Sequence, residues 1–373
     1  MRLHGPALAL VLAASPALAS SFVVHEWGTF TTIAGPDGKP VLWRPLAGHD
    51  DLPAFVHRID RLPQGLRAGL PSKLQRTAQV RMETPVIYFY GDREMTASVR
   101  VLFPSGQITE WYPEAETVAG GVIDWGRFAI VPGAEIAPPV EEAPSHYYAA
   151  RDVDAAPVRV CGQAGIETDR FLFYRGVGDF TPAVTARLDG TRVVIDNTGA
   201  SGVQVILFEN RGGRVGFRSD RMVVSSVTMD RPELTAAAGD LEGIAAELVR
   251  VLTSEGLYEK EARAMVATWR DSWFEPGLRV FAVLPRSATD EVLPLTVDPR
   301  PDDVVRVMVG RTELITPEME SAVRKAVASG APLPFGRFAE PILREIAAGR
   351  PDPKVKERLE VLLASPDARA ELQ

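Results

Sequence analysis

Beyond the leader, the histidines of the chain are His25, His49, His57 and His146. Imidazole is the usual general base near neutral pH and the commonest metal ligand, so each one matters. In VVHEWGTFTTI, His25 and Glu26 stand side by side ahead of Trp27. Adjacent side chains on a β-strand point to opposite faces, so this pair cannot hold one ion on a flat strand. One of the two can reach a site while the other is structural. The ordinary alternative for His25 is an imidazole satisfied by a backbone carbonyl. A copper histidine brace needs the histidine at the mature N-terminus, and cleavage after Ala19 would leave residues 20–24 ahead of His25.

Two further stretches concentrate polar chemistry. HDDLPAFVH sets His49 and His57 around Asp50 and Asp51, but Pro53 breaks a helical ligand pair and favours a solvated acidic loop. SHYYAARDVDA closes a Pro-rich loop with His146, Tyr147, Tyr148, Arg151, Asp152 and Asp154. An imidazole, two phenols, a guanidinium and carboxylates in so short a run are the donors and acceptors of a polar pocket. They equally suit an aromatic plug in which Arg151 pairs with Asp154. Acid-tryptophan pairs recur as Glu26-Trp27, Glu110-Trp111 and Asp124-Trp125, each in strand-like context. Tryptophans facing inward would leave these carboxylates ringing the outside. A curled sheet would instead let Glu26, Glu83 and Glu110 converge as acid, base or oxygen ligands. Glu83 enters the apolar run of RMETPVIYFY, where an uncompensated carboxylate is costly, so Arg81 or Arg175 is its expected partner.

The elements that must position these groups are mostly strands. Residues 20–230 carry short Val-, Ile-, Phe-, Tyr- and Thr-rich runs separated by Gly, Pro, Asp and Asn. TASVRVLFPSGQITEWYP, ARLDGTRVVIDNTG and VQVILFENRGGRVGF each read as a hairpin. TPVIYFYGD and DRFLFYRG read as strands buried on both faces. From Pro232 the apolar period lengthens to that of a helix. GDLEGIAAELVRVLTSEG starts at a capping Asp240, and LYEKEARAMVATWRDSWFEPG carries a stripe of Tyr258, Met265, Trp269 and Trp273 read as core. Strands LRVFAVLP and VVRVMVG follow, then a helix capped by Thr316-Pro317 and a closing helical pair. The expected architecture is α+β: an antiparallel β-sandwich over 20–230, helices with two further strands over 231–310, and a helical cap over 311–373.

Composition narrows the class. The first residues form a secretory leader, with Arg2, an apolar run from Ala7 to Ala14 and the Ala17-Leu18-Ala19 cleavage site, giving a periplasmic or secreted protein. No run is long enough to span a membrane. A net charge of −8 argues against a nucleic-acid partner. Cys161 is the one cysteine, which removes any intrachain disulfide or Cys-based zinc site, and its RVCGQ context suggests a small buried hydrophobe. Signatures for a nucleophile elbow, a zinc protease helix, a phosphate loop and a dinucleotide fold are all missing.

VHEWGTFTTIAG, RMETPVIYFY, ITEWYP, HYYAARDVDA, FLFYRGVGDF, GLYEKEARAMVATWRDSWF and RVMVGRTELITPE, in this order, resemble a family of large exported bacterial proteins with no established activity. The resemblance runs from about residue 23 to about residue 320 and implies that these segments are one inherited unit. It brings no catalytic residues with it.

Three functional readings follow from the residues. In a metal-assisted hydrolase, His25 or His146 with Glu26 and Glu83 would hold a divalent cation, and a bound water would attack. Tyr147 and Arg151 would then orient an envelope substrate. In a non-catalytic glycan-binding or scaffold protein, the Trp and Tyr side chains would stack on glycan or anchor loops while the carboxylates are paired; a substrate, in the catalytic readings, would be a glycan or a peptide. In a carboxylate glycosidase, two of Glu26, Glu83 and Glu110 would face one cleft.

Overall fold

The computed structural model describes residues 21–46, 52–61 and 76–349, with scattered positions between 353 and 360. The leader, His49, Asp50, Asp51 and most of the last helix of the expected closing pair lie outside the described residues.

The chain is organised around one ten-stranded mixed sheet. Its eight long strands are β1 (Val23–Ala34), β2 (Val80–Tyr90), β3 (Gly106–Tyr112), β4 (Leu172–Gly178), β5 (Val203–Arg211), β6 (Arg214–Val223), β7 (Gly277–Leu284) and β8 (Asp303–Leu314). Across the sheet they run β6-β5-β7-β8-β1-β2-β4-β3, with the two-residue strands Thr235–Ala236 and His57–Arg58 at the edges. β1 and β8 are parallel and the other neighbours antiparallel. Both faces of this sheet are covered, which is why its central strands read as near-continuous apolar runs.

This arrangement overturns the expected β-sandwich followed by a mainly helical region. LRVFAVLP and VVRVMVG become β7 and β8, and they enter the middle of the sheet beside β1 instead of forming an annex. One face packs against a six-stranded and a three-stranded sheet through Val24, Phe30, Met82, Phe89, Trp125 and Ile195. The opposite face packs against helices α1 (Ala237–Ser254) and α2 (Glu259–Trp273) through Trp27, Tyr88, Leu248, Met265 and Trp269. Helices α3 (Pro317–Ser329) and α4 (Ala339–Ala348) form a smaller core of their own. Among the described residues no helix is long and apolar enough to cross a membrane.

Local chemistry explains where the elements start and stop. The Asp-Gly hairpin forms with Asp189 opposite Arg192, and the Gly212-Gly213 hairpin joins β5 to β6 with both glycines at positive φ. Thr316 caps α3 by accepting from the Met319 N–H, with Pro317 in the first turn. The expected cap Asp240 lies inside the first turn of α1 instead, hydrogen-bonded by Thr235. The Pro-Ser-Gly turn does not make a hairpin. Met95–Leu102 belongs to the six-stranded sheet while β3 belongs to the ten-stranded one, so the turn passes the chain between layers. Cys161 is exposed, because Val158 and Val160 take the inward positions of its strand.

One irregularity shapes the centre of the sheet. Met82 packs on the sheet-covered face, yet Val86 and Tyr88 pack on the helix-covered face, so the alternation of β2 slips between them. The bulge sits at Thr84, whose φ is +46°, just before Pro85. Across from it, a Cβ on Gly28 would stand 2.9 Å from the Pro85 Cα and 2.9 Å from the Met308 Sδ, so only glycine fits.

Candidate functional site

Alternation along β1 does separate His25 from Glu26. His25 faces the helices, where its Nδ1 lies 2.7 Å from Glu261 Oε2 on α2. The other Glu261 oxygen accepts from the Tyr90 hydroxyl at 2.7 Å, and Oε2 also accepts from the Tyr258 N–H at 2.8 Å. Burial and the neighbouring Glu261 carboxylate push the Tyr90 phenol well above its usual pKa, so it stays a donor. The Tyr258 ring stands 4.4 Å from the imidazole.

Glu26 faces the other sheets. It accepts from Arg306 Nε at 2.6 Å and from the Tyr174 hydroxyl at 2.6 Å, and Arg306 Nη1 continues to Asp290 at 2.6 Å. Burial alone would lower the Arg306 pKa, but Glu26 outweighs it and holds the guanidinium more firmly protonated than usual.

Glu83 precedes the bulge and points to the helix side of the sheet. Arg337 Nη1 reaches its two oxygens at 3.1 and 3.2 Å, while the expected partner Arg81 stands at 4.0 Å. Burial pushes this carboxyl up, and Arg337, Arg81, Arg175 and Arg311 together hold it down to about 2. The network runs on through Glu275, 2.7 Å from Arg311, and Glu313, 2.6 Å from Arg311 and 2.9 Å from Arg279. Glu110 lies on the same side, because its neighbour Trp111 packs in the opposite core. The three carboxylates therefore do not converge: Glu26 lies across the sheet from Glu83 and Glu110. Nor do Glu26 and Glu110 ring an outer surface, since both are buried.

The SHYYAAR segment forms a short 3-10 helix over His146–Arg151. His146 Nδ1 is 3.1 Å from Asp271 Oδ2, and its ring centroid is 4.1 Å from that of Tyr147. Glu261 and Asp271 are ten residues apart on α2, about 15 Å along its axis. His25 and His146 thus pair with opposite ends of one helix and share no ion. Among the described residues no group of three or more His, Cys, Asp or Glu is arranged to hold a metal.

Arg151 pairs with Asp169, not Asp154, with its Nη2 at 2.7 Å, and its Nη1 donates to the Pro139 carbonyl at 2.9 Å. Asp154 instead meets Lys260 at 2.6 Å. Burial raises the Asp169 pKa against the opposing pull of Arg151. The Arg151 guanidinium lies over the Tyr148 ring at 4.8 Å and the Phe55 ring at 5.8 Å. The Tyr147 hydroxyl accepts from Arg175 Nη2.

What the fold does bring together is a small cavity on the helix side of the sheet. Thr84 and Val86 of β2, Tyr112 at the end of β3, Tyr147, Tyr148 and Arg151 of the 3-10 helix, and Phe171 and Phe173 at the start of β4 line it. Leu52, Pro53, Phe55 and Val56 close one side. Its volume is about 30 Å³. The Thr84 Oγ1 is itself buried, without a hydrogen-bond partner among the described residues, and presents almost no surface to this space. Four of the motif segments picked out by sequence thus share one wall. Thr84, Asp169, Arg306 and Glu261 escaped the sequence reading. For Thr84 a signal was present, a β-branched residue before proline inside an apolar strand. For the others it was not, because a lone acid or arginine reads as surface.

The chain matches no protein-family model and no curated protein. Among solved structures it is similar to the Fcho1 Mu homology domain of Danio rerio with bound Eps15 peptide. That match has 8% identity and a TM-score of 0.28, covering 79% of this chain and 97% of that one.

Proposed function

We propose that this chain is an exported protein that binds a peptide or glycan of the cell envelope without transforming it. The observation that carries this reading is how the candidate catalytic groups are used. Glu26, Glu83, Arg151, Tyr147, His25 and His146 each meet an internal partner that ties one element of the fold to another. A general base or a metal ligand needs a lone pair facing substrate or ion, and these pairs direct theirs inward. The aromatic walls around the cavity supply the apolar contact area that a binding site uses. Export rests on the leader sequence.

The test is to incubate the purified protein with labelled cell-wall polysaccharide and peptide fractions, with and without a chelator. Retention of a ligand that is recovered chemically unchanged, and that survives chelation, is the expected result. Turnover of the ligand that is lost in His25→Ala or on chelation would overturn the reading in favour of the metal-assisted hydrolase.

A further inference from the structure

We infer that the free edge of the strand Leu295–Asp298 takes an extended peptide with an acidic side chain, which adds to the six-stranded sheet as one more strand. This rests on the binding reading above and selects its peptide ligand. It places that ligand at a groove that shares no lining residue with the aromatic cavity.

The edge comes first. Leu295–Asp298 pairs on one side with Met95–Leu102 and stands last in its sheet, so its other side meets no strand. Just ahead of it, the Leu102 N–H donates to the Pro294 carbonyl at 2.9 Å. Antiparallel bonding alternates along the chain, so Thr296 and Asp298 turn their backbone groups to the neighbour while Leu295 and Val297 turn theirs outward. Among the described residues nothing hydrogen-bonds these outward N–H and C=O groups. Beside them lies a groove of about 500 Å³, a size typical of ligand pockets, between Leu295, Thr296 and Val297 on one side and Arg286, Arg300 and Val304 on the other. Successive side chains point to opposite faces of a sheet, so a space that touches all three strand residues runs along the edge. Pro294 and Pro299 bracket the strand, and a short edge closed by prolines resists open-ended pairing with another sheet. A single short strand is the occupant that fits.

Charge comes second. The groove is lined by Arg286, Arg300 and Arg306 and by Asp290, Asp302 and Asp303. Asp290 is met by Arg306 at 2.6 Å and by Arg286 at 3.3 Å. Asp302 accepts from the Phe22 N–H at 2.7 Å, and Asp303 from the Val304 N–H at 2.8 Å. Arg306 is in turn held by Glu26. Each aspartate thus has a donor from this chain. Arg300 is exposed and has no partner among the described residues, which leaves it to meet a carboxylate on the ligand. A neutral glycan has hydroxyls but no alternating N–H and C=O groups at the strand repeat, and no carboxylate for Arg300. An extended peptide with one acidic residue has both.

Fluorescence anisotropy on the full chain tests this with the pentapeptide Thr-Val-Glu-Val-Thr, carrying fluorescein at its amino end and an amide at the other. Two methylated forms are compared, one on the valine nitrogens and one on the glutamate and last threonine nitrogens. Because alternate N–H groups face the sheet, one form should bind about tenfold more weakly and the other normally. Val297→Pro removes an outward N–H and leaves the ladder to Met95–Leu102 in place, so it should weaken the peptide by about tenfold. Arg300→Gln should weaken it about threefold, the worth of an exposed ion pair, and should cost nothing further once the peptide glutamate is glutamine. Equal binding of both methylated forms overturns the strand addition without relying on any protein variant to fold. Arg300→Gln without effect overturns the acidic class. Displacement of the peptide by an N-acetylglucosamine tetramer overturns the choice of peptide. A dimer in sedimentation that Val297→Pro dissociates gives the edge to a second copy and overturns it too. If the peptide fails to bind while an envelope fraction is retained, this inference falls and the binding reading stands. If neither binds, both fall.

Discussion

Glu26 and Arg306 meet at 2.6 Å across the parallel pairing of β1 and β8, both sealed from solvent, although 280 residues separate them in sequence. The pair ties the first described strand to the last strand of the sheet. Breaking a buried ion pair strands the surviving charge, which costs about 3–5 kcal/mol, whereas apolar replacement of both partners is often close to neutral. Arg306→Met is therefore expected to lower stability by about that amount in urea unfolding. Glu26→Leu combined with Arg306→Met should recover part of the loss, the remainder being the buried Tyr174 hydroxyl that loses its acceptor. A double variant as unstable as the sum of the two single ones would show that the pair is not coupled.

Glu83 makes the fold sensitive to acid. Its carboxyl titrates near 2 in the folded protein, against 4.5 for an ordinary glutamate. A depressed folded pKa gives stability that is present above pH 4.5 and lost as pH falls toward 2. The shift corresponds to about 3 kcal/mol, and Glu275, also lowered by Arg311 and Arg337 against its burial, adds in the same direction. Asp169, raised by burial, works the other way and favours the fold as it protonates. Glu83→Gln should be less stable at neutral pH and show a flatter fall between pH 4.5 and 2, read from melting temperature against pH. An unchanged slope would place the acid sensitivity elsewhere.

Thr84 carries a backbone conformation that suits glycine. Thr84→Gly should relieve about 1 kcal/mol of left-handed strain. In a chain of this length that raises the melting temperature by about 2 °C. A lower melting temperature would mean that Thr84 side-chain packing outweighs the strain.

Cys161 should react as a surface thiol. Val158 and Val160 occupy the core positions of its strand, and the cysteine between Val160 and Gly162 points outward. One equivalent of a thiol reagent should add to the native protein without denaturant and without loss of stability. Labelling that needs denaturant would place the thiol inside.

Glu261 orients His25 while also accepting from Tyr90 and from the Tyr258 N–H, so a single carboxylate fastens α2 to β1 and β2. Glu261→Gln should cost about 1–3 kcal/mol, since a charge-assisted acceptor becomes a weaker neutral one with an N–H facing a donor. Amide exchange should quicken at the start of α2 before it does in β7. Uniform exchange across both elements would argue against a local fastening role.

By itself, the amino-acid sequence determined the local pieces of this protein. Asp189-Gly190 and Gly212-Gly213 dictate their turns, Thr316-Pro317 dictates the start of α3, and the Met265, Trp269 and Trp273 stripe dictates which side of α2 is buried. Alternation alone was enough to part His25 from Glu26. These are short-range consequences of backbone sterics, capping and side-chain period, all contained within a few neighbouring residues. Only the tertiary structure decided that β7 and β8 enter the central sheet, and that Glu26 finds Arg306, His25 finds Glu261 and Glu83 finds Arg337. Strand order depends on which apolar faces cover one another across hundreds of residues, and a buried charge takes whichever partner that packing brings within reach. The Thr84 cavity belongs to the same class. Its walls come from separate segments, and no one of them encloses space alone.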